Sequence, residues 1–200
     1  MKNWGFLTVL EHSRHGLIGG YLVVNTLGRP VEFHCTSPVR TNRAQEILYG
    51  TTLDVFLYGE QIAQTLITRA KTKPFAVMTD KSQVLAVQEF VEMPVCFIPN
   101  EIRCSEKQLR IIDSEITKYS ENNKPSEKIG VMEVITSIPG VSAFRWTEHS
   151  VGHYQLAIPE LATQPASETI DEVKNASATI DFLEPFERIR LAIEEAQKAA

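Results

Sequence analysis

Apolar and polar positions alternate, cluster and recur differently along the chain, and the changes of period divide it into elements. Trp4 to Leu10 is an apolar, β-rich run, and Gly19-Gly20 precedes YLVVNTLGRPVEFHC, two extended stretches around a turn near Asn25 to Pro30. This predicts a three-strand meander. Side chains alternate along a strand, so Leu22 and Val24 should share a face with Val31 and Phe33. Val23, Glu32 and His34 should look the other way, which leaves His34 and Cys35 on opposite faces.

The period then lengthens. After the polar link TSPVRTNR, Thr41 is placed to cap a short helix ending at Tyr49, with Gly50 at its C-terminal turn. Thr51 and Asp54 form a capping-box-like start for a second helix, in which Leu53, Phe56, Ala63, Leu66 and Ala70 recur at helical spacing to about Lys71. Gly59 interrupts it, and close packing of a neighbour is the simplest reason for a glycine there. A ligand approaching the backbone at Gly50 and Gly59 is the other. Pro74 to Met78 and PVCFI (94 to 98) predict two parallel strands flanking a helix that Asp80 would cap.

Beyond residue 100 the pattern is more helical. Leu109, Ile112, Ile116 and Tyr119 make a narrow stripe on a helix at 105–121, and residues 129–138 fit helix or strand equally. FRWTE and HYQLAI predict a hairpin around Ser150 to Gly152. The polar stretch 163–180 reads as a linker, and Phe182, Phe186, Ile189, Ile193 and Ala196 line one face of a last helix begun by Pro185. The expected layout is therefore a mixed α/β sheet domain at 1–100, a helix-plus-hairpin extension at 101–162, that linker, and an amphipathic helix at 181–200.

Composition narrows the function classes. The net charge is −5; residues 1–100 hold 9 Lys/Arg against 8 Asp/Glu, and residues 101–200 hold 11 against 17. This balance argues against a nucleic-acid partner, whose binding domain usually carries a clustered positive excess, and puts any anion site in the first half. Cys35, Cys96 and Cys104 show no CxxC spacing, which fits reduced thiols in a cytoplasmic protein. No window reaches 18 apolar residues, so no membrane span is expected.

Several clusters carry candidate chemistry. Ser37, Arg40, Thr41 and Arg43 surround a predicted helix N-terminus, where backbone N–H groups attract anions and arginine grips phosphate with two donors. His12 with His15, and His149 with His153, have the spacing of shared metal ligands, but Gly16 and Gly152 place them in turns as ordinary surface histidines. IPGVSAF (138 to 144) echoes the Pro-Gly-Val core of helix-hairpin-helix turns, with Ser142 where a second glycine is expected. There is no Walker loop, no GxGxxG run and no Gly-x-Ser-x-Gly elbow. No metal, cofactor or catalytic residue is assigned.

Over residues 4–98 the order of strands and helices resembles the ribonuclease-H-like fold, in which a meander precedes alternating helices and strands. The resemblance implies metal ions held by carboxylates on the first strand, a helix and the end of the fourth strand. Asp80 would match the last, and Glu46 or Glu60 the helix. The first strand, WGFLTVL, departs from this pattern because it contains no acid.

Three functions follow in order of expectation. The first is a non-catalytic interaction or assembly module, meeting a protein partner or itself through its two amphipathic helices. The second is a metal-dependent phosphodiester-cleaving enzyme using Asp80 with Glu46 or Glu60. The third is a sensor of a phosphate-bearing small molecule through Ser37, Arg40 and Arg43.

Overall fold

A computed structural model describes residues 2–13, 15–99, 132, 135, 138, 141 and 144–198. The meander forms as expected: β1 (Trp4–His12) pairs antiparallel with β2 (Gly16–Val24), which pairs antiparallel with β3 (Pro30–Cys35). Leu22 lies opposite Phe33 and Val23 opposite Glu32, so the predicted faces hold, although a bulge at Val23/Val24 brings Pro30 against Val24. Gly19 and Gly20 lie inside β2 instead of ahead of it.

After β3 comes α1 (Arg43–Tyr49), then a helix α2 built from an α-turn Leu53–Val55, a π-helical stretch Phe56–Gln64 and a closing α-segment Thr65–Arg69. Next are β4 (Ala76–Thr79), a 3₁₀ segment Ser82–Phe90 and β5 (Val95–Phe97). β4 runs parallel to both β1 and β5. The hairpin β6 (Trp146–Val151) and β7 (Tyr154–Pro159) completes one seven-stranded mixed sheet, ordered β3-β2-β1-β4-β5-β7-β6. The chain is α/β, with the meander followed by alternation that the ribonuclease-H-like resemblance implies.

Alternation along the strands splits the core in two. Leu7, Val9, Tyr21, Val23 and Val77 face α2 and the 3₁₀ segment. Trp4, Phe6, Leu22, Met78 and Cys96 face the opposite way, onto α3 (Ala166–Ala176) and α4 (Glu184–Lys198). Two adjacent glycines let both helical layers reach the sheet. A Cβ on Gly19 would lie 2.1 Å from Ile62 Cγ2, and one on Gly20 2.2 Å from Ile189 Cγ2. Because neighbouring residues on a strand point to opposite faces, one Gly-Gly step makes room for α2 above and α4 below.

Four local expectations are corrected. The cap of α1 is Asn42, whose side chain accepts from the Gln45 N–H while the Gln45 side chain accepts from the Asn42 N–H. Thr51 does not cap α2; the residue ahead of Leu53 is Thr52, whose hydroxyl donates to the Tyr49 carbonyl. Asp80 caps nothing, since the 3₁₀ segment begins after Lys81 with no side-chain cap. The stretch read as a linker holds α3, which buries Ala166, Thr169, Ile170 and Val173 against the sheet. Its apolar positions are few, and only the second face of the sheet supplies the surface that makes them a stripe. The expected helix at 105–121 and nearly all of 129–138 lie outside the described residues.

Candidate functional site

The link between β3 and α1 is stitched to β2. Thr36 donates its N–H to the Gly19 carbonyl, and Gly19 donates its N–H to Thr36 Oγ1. Leu17 and Val39 exchange both backbone hydrogen bonds, at 2.8 and 2.7 Å. Gly16 is required there: its φ is +90°, and a Cβ would lie 2.3 Å from the Val39 carbonyl oxygen. Beside it, Arg40 Nε donates to the His15 carbonyl at 3.2 Å.

Two depressions meet at Arg40. One, of about 540 Å³, is lined by His34, Ser37, Arg40, Gln61, Thr65 and Arg69 among others. It therefore brings two arginines from separate elements, the link and the end of α2, onto one surface. The second, of about 910 Å³, is lined by Glu11, His12, Arg40, Thr41, Asp54 and Tyr58 among others. Glu11 reaches it because β1 continues past Val9 to His12, and Asp54 because it stands on the first turn of α2.

The electrostatics of the second depression follow from burial. Tyr58 is 4% exposed and donates its hydroxyl to Glu11 Oε1. Burial first, then that hydrogen bond and the charges of Glu11 and Asp54, push the phenol far above its ordinary range, so it stays a donor. Tyr21, deeper under α2, is raised by burial and by the charge of Glu32. Glu32 itself is held down to about 2 by the Lys71 N–H first, then His34 and the Thr72 N–H. It thereby ties β3 to the chain leaving α2.

The structure sorts the residues singled out in the sequence. Ser37 and Arg40 share the first depression with Arg69, whereas Thr41 and Arg43 both donate to Glu46, at 3.4 and 3.0 Å. The N-terminus of α1 is closed by its own capping box. Asp80, Glu46 and Glu60 do not converge. Glu46 is held by Arg43, Glu60 lines a depression with Tyr49 and Phe56, and Asp80 stands past β4 with Oδ1 buried and without a hydrogen bond. Among the described residues no three His, Cys, Asp or Glu side chains gather in a metal-holding group.

His12 and His15 stack edge to face at 4.6 Å, His149 meets Thr147 Oγ1 and His153 lies on Tyr154. Cys35 is exposed, and Cys96 is buried, which pushes its thiol well up. Most of IPGVSAF and Cys104 lie outside the described residues. Arg69 and Asp54 do not stand out in the sequence as site residues, and Glu11 is legible there only as an acid at or beyond the end of the first strand. Glu11 and Tyr58 stand 47 positions apart, and no short-range pattern joins them.

No protein-family model matches the chain, and no curated protein matches it. A solved structure that is similar is endonuclease V of Ciona intestinalis in complex with a 23mer DNA containing an inosine followed by a ribo-adenosine. The TM-score is 0.40 and the identity 8%, over 86% of this chain and 76% of that one. No helix among the described residues is long and apolar enough to cross a membrane.

Two functional expectations are corrected here. α4 spends its apolar stripe on its own sheet, burying Phe186, Ile189 and Ile193, so that stripe is not open to a partner. With that stripe spent, the reading of a non-catalytic assembly module that meets partners through this helix is set aside. The net charge does not exclude a nucleic-acid partner either, since Arg40 and Arg69 gather on one surface whatever the overall balance.

Proposed function

We propose that the protein acts on a phosphodiester backbone, with nucleic acid as the substrate class. A strand would cross Arg69 and Arg40 and reach Glu11 and Asp54, which would hold the divalent cation of a nuclease-type cleavage. The observation that carries this reading is the convergence of Arg40, Arg69 and Ser37 on one depression that shares Val39 and Arg40 with a second, lined by two carboxylates. Guanidinium groups suit phosphate oxygens because their donors are planar and paired. Mg²⁺ is commonly bound by one or two carboxylates together with the phosphates of its substrate, so a pair of acids suffices. Such a cation polarises the phosphoryl oxygen and lowers the pKa of a bound water. Glu11 has an oxygen left over after Tyr58, and the persistently protonated phenol holds that carboxylate in place.

Fluorescence anisotropy with labelled single-stranded DNA and RNA, in EDTA, tests the binding half. The paired substitution Arg40→Ala/Arg69→Ala should weaken binding about tenfold or more, since each phosphate contact is a charge-assisted one. Gel-resolved cleavage with Mg²⁺ or Mn²⁺ tests the other half. Glu11→Gln and Asp54→Asn should each lower cleavage about a hundredfold while leaving affinity in EDTA unchanged. Binding indifferent to the two arginines, or cleavage that survives both acid substitutions, would overturn the assignment. So would inorganic phosphate or a mononucleotide competing as tightly as an oligonucleotide.

A further inference from the structure

A third depression lies on the outer side of the helical layer and shares no residue with the two clefts. Gly59 creates it. A Cβ at that position would lie 2.8 Å from Ala86 Cβ, so only glycine lets α2 press against the 3₁₀ segment there. The close approach sets Glu60 and Glu89, both exposed, on one hollow of about 200 Å³. Its remaining walls include Tyr49, Phe56 and Phe90. Tyr49 and Phe56 stack with ring centroids 4.2 Å apart and planes 20° apart, and Phe90 is 45% exposed.

The chemistry of this lining is selective. Two carboxylates repel an anion. Neither has an ion-pair or hydrogen-bond partner among the described residues, and no lysine or arginine is among the lining side chains. Mg²⁺ and Ca²⁺ take oxygen ligands and gain nothing from ring faces. A neutral apolar molecule would cover the rings but strip water from the acids without returning a partner. A weakly hydrated organic cation satisfies both halves, since aromatic faces carry negative charge density that attracts it. The hollow is smaller than the ~300–1,000 Å³ of a drug-sized site, so it suits a head group.

We infer that the hollow bounded by Tyr49, Phe56, Phe90, Glu60 and Glu89 binds a small quaternary ammonium cation. The experiment is titration of the ¹⁵N-labelled protein with choline, followed by amide shifts, alongside its uncharged isostere 3,3-dimethylbutanol. Saturable shifts should appear at residues 49–60 and 86–90 with choline, and the neutral isostere should bind about fivefold more weakly or worse. Phe90→Leu, which keeps apolar bulk on an exposed side chain, should weaken choline roughly two- to fivefold. The pair Glu60→Gln/Glu89→Gln should weaken it about fivefold or more, because both charges face one small hollow. All of these positions are on the surface, so the folded spectrum elsewhere should be unchanged. The inference falls if no saturable shift appears by about 50 mM, a concentration at which even millimolar binding would saturate. It falls too if choline and its neutral isostere bind alike, or if the double glutamine variant binds choline as the wild type does.

Discussion

Single residues do the joining in this fold, and their contributions can be measured one at a time. Glu32 is the clearest. Its carboxylate accepts the N–H groups of Lys71 and Thr72, and its pKa falls from the ordinary 4.5 to about 2. A carboxylate held low in the folded state binds protons more readily unfolded. Its stabilisation is therefore complete above the ordinary value and lost as pH falls toward 2. Urea unfolding from pH 6 to 2 should show wild type above Glu32→Gln at pH 6, with the gap closing across that window. A gap independent of pH would mean the charge is irrelevant. Gly20 is a second such residue. Gly20→Ala forces a methyl into Ile189 and should cost about 1–3 kcal/mol, seen as a lower Tm, as over-packing does.

At the scale of elements, burial decides which helices matter to global stability. α4 buries Phe186, Ile189 and Ile193 against β1 and β2, whereas α1 buries no residue at all. Ile189→Ala should therefore cost about 2–5 kcal/mol in chemical unfolding. Asn42→Ala removes one arm of the α1 capping box, typically worth ~1 kcal/mol to a helix. With no core attached to α1, hydrogen exchange should speed up at 43–49 while the global unfolding midpoint stays put. Exchange that stays slow in that helix would mean it is held by something other than its cap.

At the scale of the molecule, charge is distributed so that function must be local. The net charge is −5, yet the arginine cleft lies in the half of the chain that is close to neutral. Binding to a single strand should weaken as salt rises, with a log–log slope near −0.7 per phosphate contact. Arg40→Ala/Arg69→Ala should flatten that slope by about 1.4. An unchanged slope in the double variant would place the contacts elsewhere.

The strands β1 to β5 were legible because apolar alternation and β-branched runs mark an element locally, and so were the β6–β7 hairpin and the stripe of α4. α3 was not, because its four buried positions become a face only when a sheet lies beneath them. The site divided along the same line. Ser37 and Arg40 could be named from an eight-residue polar link. Thr41 and Arg43 belonged to the same run, but both turn to Glu46, Arg43 across one helical turn and Thr41 from ahead of the cap. Asp54 and Arg69 stand at opposite ends of α2 and Glu11 on β1, and no short sequence window contains them all.

The sequence by itself determined the α/β class, the meander and its faces, because backbone period and side-chain polarity act over a few residues. It also marked Gly16 as a turn and Gly59 as a close approach, although not what would approach it, and it misplaced Gly19 and Gly20 ahead of their strand. Only the tertiary structure decided that Gly19 and Gly20 seat two different helices, that Gly59 brings two acids to one hollow, and that Arg40 meets Arg69. Those are distances through space, fixed by how two helical layers settle on one sheet, and residues far apart along a chain leave no mark on one another until it folds.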